Sequence, residues 1–410
     1  MKLRNNRSVF YLISLIAAVL LLAACSSSSK DNSPSVTPTP TTSSIPTPTS
    51  APTAVPTTIP TPAATLTPTM TPVDTFDVRA KELLQKMTLE EKVGQLFFVR
   101  LRKAQAEEDI KKYYLGGLIL FGDDFKDEDK KSMKKLITGY QSAASTALLI
   151  GVDEEGGMVN RVSKYPAFRE VPFASPMDLY KEGGLDLIRR DTLEKADLLL
   201  SLGINVNLAP VCDVSTDPKD FIYPRSFGKN AEDTSDYVKA VVEVMKEQKL
   251  GCTLKHFPGY GNNADTHTGI AVDDRAYDTF LSSDFLPFEA GIEKGADSVL
   301  VSHTIVTSMD QGTPASLSAK IHNILRTDLG FRGVIITDDL SMDAIKGYSG
   351  EDVAAVLAVL AGNDLLIASD FELQIPAVLD AIKDGTILES RIDASVLRIL
   401  KWKLNLGILR

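Results

Sequence analysis

The sequence predicts an α/β protein organised as a single (β/α)8 barrel of the TIM type, and three observations support this. Eight β-rich apolar runs of five to eight residues recur between residues 96 and 369. Amphipathic segments with helical spacing separate them. No GxGxxG or GxxxxGK(S/T) follows any run, so the usual nucleotide fingerprints are missing. Eight buried strands alternating with helices over about 330 residues fit one closed barrel, with an open doubly wound sheet as the alternative.

The chain opens with MKLRNNRSVFYLISLIAAVLLLAAC. Lys2, Arg4 and Arg7 form a positive leading region, and the apolar run from Val9 to Leu22 is short for a membrane span. Its end, Leu22-Ala23-Ala24-Cys25, resembles the lipobox of bacterial lipoproteins. That resemblance implies a signal peptide over 1–24, a lipidated Cys25 and an extracytoplasmic protein anchored to the bacterial cell membrane; an uncleaved anchor is the alternative. Residues 25–73 hold eleven of the 21 prolines in a Ser/Thr/Pro-rich tract. Such a tract carries too little apolar surface to repay ordering, so a disordered, extended stalk is expected, reaching on the order of 150 Å if stiff.

Residues 74–410 have the makings of a globular domain. Hydrophobic residues make up 44% of the chain and charged ones 24%, ordinary values for a folded protein. A net charge of -10 argues against nucleic acid as a partner, because phosphate binding needs a basic face. Thr88-Leu89-Glu90-Glu91 has capping-box spacing and predicts a helix start. The runs then follow in order: LFFVR (96–100), GGLILF (116–121), ALLIGVD (147–153), INVNLAPV (204–211), CTLKHF (252–257), SVLVSHT (298–304), GVIITDD (333–339) and DLLIAS (364–369). Cys212 and Cys252 lie in apolar stretches and are expected to be buried free thiols rather than a bridge.

In such a barrel the chemistry sits where the strands end. The third run ends in Asp153, the fifth in Lys255 and His256, the sixth in His303, and the seventh in Asp338 and Asp339; Arg225 falls in the loop after the fourth. Ionisable groups thus converge on one rim. Two of the four histidines, His256 and His267, lie in KHFPGYGNNADTHTG (255–269), with Asp265 two residues before the second. By residue type, His256, Asp265 and His267 could be metal ligands, or the glycine-rich stretch could be a mobile acid/base arm. No HExxH and no cysteine pair supports the metal reading.

KHFPGYGNNADTH resembles the KHFPGHG…DSH signature of family 3 glycoside hydrolases of the β-N-acetylhexosaminidase branch. VDEEGGMVNR (152–161), PRSFG (224–228), ITDDLSM (336–342) and MTLEEKVGQLFFV (87–99) are similar to further motifs of that family, in the same order. The resemblance implies a retaining exo-β-N-acetylglucosaminidase removing terminal non-reducing β-linked GlcNAc, with peptidoglycan fragments as the expected source. It implies Asp338 as nucleophile, a choice over Asp339 that residue order alone leaves open. It implies His267 as acid/base, oriented by Asp265, on an arm that Gly259 and Gly261 would allow to close. Asp153, Arg161, Arg225, Lys255 and His256 match its substrate-binding positions, with a rim salt bridge as the alternative for the two arginines. His303 stays open between a structural hydrogen bond and a ligand contact. No metal or cofactor is implied, and a monomer is expected.

Tyr260 departs from the signature, which has histidine there, and Met158 stands where arginine is common. Two rival functions remain: a β-glucosidase of the same family, and a non-catalytic surface sugar-binding lipoprotein. The single tryptophan, Trp402, lies far along the chain from every rim motif, which favours a pocket for one terminal sugar over a long polysaccharide platform.

Overall fold

The computed structural model describes residues 72–263, 269–349 and 354–410. The signal, Cys25 and the stalk lie outside them, apart from the last residues of the linker. Among the described residues no helix is long and apolar enough to cross a membrane.

All eight predicted runs contribute strands to one parallel sheet. These are β1 Phe97–Arg100, β2 Gly117–Leu120, β3 Leu149–Val152, β4 Val206–Asn207, β5 Gly251–Phe257, β6 Ser298–Val301, β7 Val334–Thr337 and β8 Leu366–Ile367. Their order around the sheet is β7-β6-β5-β4-β3-β2-β1-β8. A parallel bridge between Ile336 and Leu365 closes the ring. The open-sheet alternative is thereby excluded. Helices fill the connections, among them Lys130–Ala143, Pro176–Leu202, Ala231–Glu247, Phe285–Glu293 and Ala354–Ala361. The capping box forms as its spacing predicts: Thr88 accepts from the Glu91 N–H while the Glu91 carboxylate accepts from the Thr88 N–H.

The fourth run is shorter than its sequence suggests. Only Val206 and Asn207 pair as a strand, and a bridge resumes from Val211 to Lys255. Side-chain amides take over part of the ladder: Asn205 Oδ1 accepts from the Ile150 N–H and Asn207 Oδ1 from the Glu154 N–H, each at 2.9 Å. Pro210 then has no N–H to give. Cys212 and Cys252 are free and buried, as expected.

Two apolar layers result. One lies between strands and helices; the other fills the barrel and includes Phe98, Ile119, Leu149, Leu208, Leu300, Ile336 and Ile367. Phe98 is accommodated by missing side chains on the neighbouring strands: a Cβ at Gly151 would stand 2.3 Å from its ring, and one at Gly117 2.7 Å. Trp402, from the last helix Glu389–Asn405, belongs to the same inner layer and abuts Gly251 at the start of β5. It plugs the end opposite the rim.

Beside Trp402, Lys403 is fully buried, donating to Gln95 Oε1 at 2.7 Å and the Gly116 carbonyl at 2.9 Å. A neutral amine has two N–H groups, and these two acceptors satisfy both. Burial pushes its pKa down to about 7 from the ordinary 10.5. Across that window the unfolded chain holds a proton that the folded chain has released, so this group makes stability rise with pH. Lys403→Met should remove that slope: in urea titrations from about pH 7.5 to about pH 9.5 the wild type gains stability relative to the variant. Parallel curves would contradict the assignment.

Candidate active site

The rim side chains meet in a cleft of about 1030 Å³, counted to its open mouth. Its floor is the top of the barrel core, Ile119, Leu208, Leu300 and Ile367, and its walls carry Asp153, Glu155, Arg161, Arg225, Lys255, His256 and Asp338. Six of the predicted site residues are therefore brought together. His267 and Asp265 fall at 264–268, outside the described residues.

The segment after β3 builds one wall. It turns back on itself as a short antiparallel pair, Glu154–Gly156 with Val159–Asn160. The turn needs Gly156 at φ 98°, where a Cβ would stand 2.3 Å from the Ala174 carbonyl oxygen. The buried Glu154 carboxylate accepts from the backbone N–H groups of Arg161, Val162 and Ser163 at 2.8, 2.7 and 3.0 Å, fixing where Arg161 leaves the chain. Arg161 Nε is buried with no hydrogen-bond partner among the described residues, 4.0 Å from Asp153 Oδ2.

Glu155 lies at the centre. Its Oε1 is 2.6 Å from Lys255 Nζ and 2.7 Å from an Arg225 terminal nitrogen, and its Oε2 accepts from Arg225 Nε at 3.1 Å. Burial opposes its charge, but the Lys255 ammonium and Arg225 guanidinium outweigh it and hold its carboxyl well below the usual carboxylate range. Burial likewise opposes the charge on Lys255, and Asp153 and Glu155 reverse this, raising its pKa above the ordinary value. Lys255 also reaches Asp153 Oδ1 at 2.7 Å. Arg225 thus forms the salt bridge named as its alternative role and also lines the cavity.

Lys255 and His256 are consecutive, joined by a cis peptide bond, and both line the cavity. His256 Nδ1 is 2.7 Å from Asp213 Oδ2, and its Nε2 is 3.2 Å from an Arg225 terminal nitrogen. A guanidinium only donates, so Nε2 accepts and the ring proton sits on Nδ1, donated to Asp213. Asp213 also accepts from the backbone N–H groups of His256 and Tyr260, at 3.2 and 2.7 Å.

Asp338 directly follows β7, and its Oδ1 accepts from the Asp339 N–H at 2.9 Å. Asp339 uses both oxygens locally: Oδ1 accepts from the Ser341 N–H at 2.9 Å and Oδ2 from the Ser369 hydroxyl at 2.7 Å. His303 is fully buried, with Nδ1 2.7 Å from Ser316 Oγ and Nε2 2.9 Å from the Asp339 carbonyl oxygen. His303 is not among the residues that line the cavity.

The stem leading to residue 264 differs from expectation. Gly259 and Gly261 are buried and tightly packed, not a loose hinge. Both have positive φ, 125° and 53°; a Cβ would stand 2.4 Å from Asp284 Oδ1 at the first and 2.5 Å from Arg275 Cζ at the second. Asn263 donates to Asp273 Oδ2 at 2.7 Å, and Arg275 bridges Asp273 and Asp284. These glycines serve close approach.

Sequence reasoning missed two buried carboxylates, Glu155 and Asp213. Both were within reach of the strand-end rule: Glu155 lies two residues past Asp153, and Asp213 just beyond the fourth run. Arg100 and Phe121, at the ends of the first two runs, also line the cleft, stacked with the guanidinium carbon 4.5 Å from the ring centroid. Among the described residues no group of three or more His, Cys, Asp or Glu is placed to hold a metal ion.

A closed parallel barrel with carboxylates and fixed cationic donors around one cleft at its strand ends is the layout of an α/β-barrel enzyme. The chain belongs to glycoside hydrolase family 3: the model of the family's N-terminal domain matches residues 88–402. It is 35% identical over 266 residues to a beta-hexosaminidase of Xylella fastidiosa (strain M23), covering 63% of this chain and 77% of that protein. It is 31% identical over 284 residues to a beta-hexosaminidase of Tolumonas auensis, covering 68% and 83%. A solved family 3 beta-N-acetylglucosaminidase from a Paenibacillus species superposes with a TM-score of 0.74 at 31% identity, over 78% of this chain and 63% of that one.

Removing the central carboxylate should be costly. Glu155→Gln leaves two buried cations short of a partner and is expected to lose about 3–5 kcal/mol of stability. Because the Glu155 pKa is depressed in the fold, that difference from wild type is fully present above the ordinary value of 4.5 and shrinks in stronger acid. A loss below about 1 kcal/mol at neutral pH, read by denaturant unfolding, would contradict the central role given to this group.

Proposed function

We propose that the protein is a retaining exo-β-N-acetylglucosaminidase that removes terminal, non-reducing β-linked GlcNAc. The observation that carries this is the place of Asp338, at the end of β7 on the same cleft as the Asp153–Lys255–Glu155–Arg225–His256 network. Asp339 spends both oxygens on Ser341 and Ser369, which favours its neighbour for chemistry. The names of the beta-hexosaminidase relatives and of the Paenibacillus structure support the same activity.

In this reading the terminal sugar sits over the apolar floor. Asp153 accepts from its outer hydroxyls, while Lys255, Arg225 and the unpartnered Nε of Arg161 donate to its oxygens. An Asp338 oxygen attacks the anomeric carbon as the bond to the leaving oxygen breaks, and His267 protonates that oxygen. Water then attacks the glycosyl ester, giving its proton to His267, and the Asp338 carboxylate is regenerated. Imidazole suits both halves because its ordinary pKa lies near neutrality. Asp265 orients the ring and stabilises its charged form.

The lipobox-like Leu22–Cys25 and the proline-rich tract support an enzyme held outside the cell by a lipidated Cys25. Multiple acyl chains would anchor it firmly. Peptidoglycan fragments ending in GlcNAc are the substrate that this location favours.

Hydrolysis of aryl β-GlcNAc and aryl β-glucoside by the wild type, Asp338→Asn and His267→Ala tests the reading. The GlcNAc substrate should be strongly preferred. Asp338→Asn should lose at least about 10³-fold in kcat. His267→Ala should lose about 10²–10⁴-fold on a poor leaving group and much less on an activated aryl one. A preference for the glucoside would support the β-glucosidase reading instead, and inactivity on both the binding-protein reading. An undiminished Asp338→Asn would remove the nucleophile assignment.

A further inference from the structure

Tyr260, the residue that departs from the histidine of the resembled signature, has no role in the chemistry above. Its ring is almost fully buried, in edge contact with His256 at a centroid distance of 5.5 Å. On another side it meets Phe221, at 5.7 Å and an interplanar angle of 43°. Phe221 is 39% exposed. Three rings thus step from the cavity wall at His256, through Tyr260, to solvent at Phe221.

An exposed phenylalanine alone means little. This one is held in place. The turn that carries it also carries Arg225, whose N–H donates to the Ile222 carbonyl at 2.9 Å, and Ile222 is fully buried. Asp220, just before it, accepts from the Ser215 hydroxyl at 2.7 Å. Beneath the ring, Tyr260 is fixed by its N–H bond to Asp213. The same turn therefore delivers a guanidinium into the pocket and a rigid aromatic face outside it.

We infer that Phe221, backed by Tyr260, is the platform for the leaving-group sugar and sets selectivity for it. The inference rests on the exo-acting reading above. Phe221 does not line the cavity that takes the terminal sugar. In an exo-acting enzyme whatever extends past that pocket is leaving group. A β-linked pyranose presents a face of C–H groups that packs on an aromatic ring, which supplies large area at little conformational cost.

The test compares kcat and KM for β-1,4-linked di-GlcNAc and methyl β-GlcNAc in wild type, Phe221→Ala and Phe221→Tyr. Phe221→Ala should raise KM for the disaccharide by about 3- to 10-fold, the range an aromatic contact spans, with the methyl glycoside unchanged. Phe221→Tyr should restore the disaccharide value. Equal changes on both substrates, or none on the disaccharide, would overturn the platform. A wild type that hydrolyses neither would refute the exo-glucosaminidase reading and this inference with it; one that hydrolyses both leaves the variants to decide the platform alone.

Discussion

The active cleft is organised around one buried carboxylate, Glu155, clamped between Lys255 and Arg225. Burying any one of these charges alone would cost several kcal/mol; together they are mutually compensated, and each fixes the direction of the next. Lys255 is drawn towards both Glu155 and Asp153. Arg225 is held by two bonds to Glu155, and the terminal nitrogen that makes one of them also meets His256 Nε2 and sets that ring's tautomer. His256 in turn donates to Asp213, which also holds the stem at Tyr260. Residues from the segment after β3, from the loop after β4 and from β5 are thereby locked before any sugar arrives, which is the preorganisation that glycosidic bond cleavage requires.

The barrel makes this arrangement possible by dividing its labour between ends. Trp402 and Lys403 seal one end. At the other, apolar side chains of the inner layer stop at Ile119, Leu208, Leu300 and Ile367, leaving a greasy floor under a charged rim. Parallel strands place their last residues at the same level. Asp338 reaches the cleft from its position one residue beyond β7, and its neighbour Asp339, which also lines the cleft, braces Ser341 and Ser369.

Much of this was legible in the sequence. The eight runs could be read because strands buried on both faces are continuously apolar, and the rim residues could be read because polar groups at the ends of such runs have few other reasons to be there. Burial of individual carboxylates was not legible. Asp and Glu are surface residues by default, and nothing local marks Glu155 and Asp213 as interior; their partners are remote in sequence, Arg225 standing 70 residues from Glu155 and His256 43 residues from Asp213. Gly259 and Gly261 were misread because glycine serves flexibility and close approach equally well, and only the positions of Asp284 and Arg275 decide between them. The brevity of β4 followed from amide side chains substituting in the ladder, which no periodicity reveals.

The central claim is that the carboxylate of Asp338 becomes covalently bonded to the sugar. A 5-fluoro glycosyl fluoride of GlcNAc, which slows breakdown of a glycosyl-enzyme more than its formation, tests this directly when the inactivated protein is digested and its peptides are sequenced by mass spectrometry. The added sugar mass should sit on Asp338. The same mass on Asp339 or Asp153, or no adduct from an enzyme that releases product with inverted configuration, would contradict it.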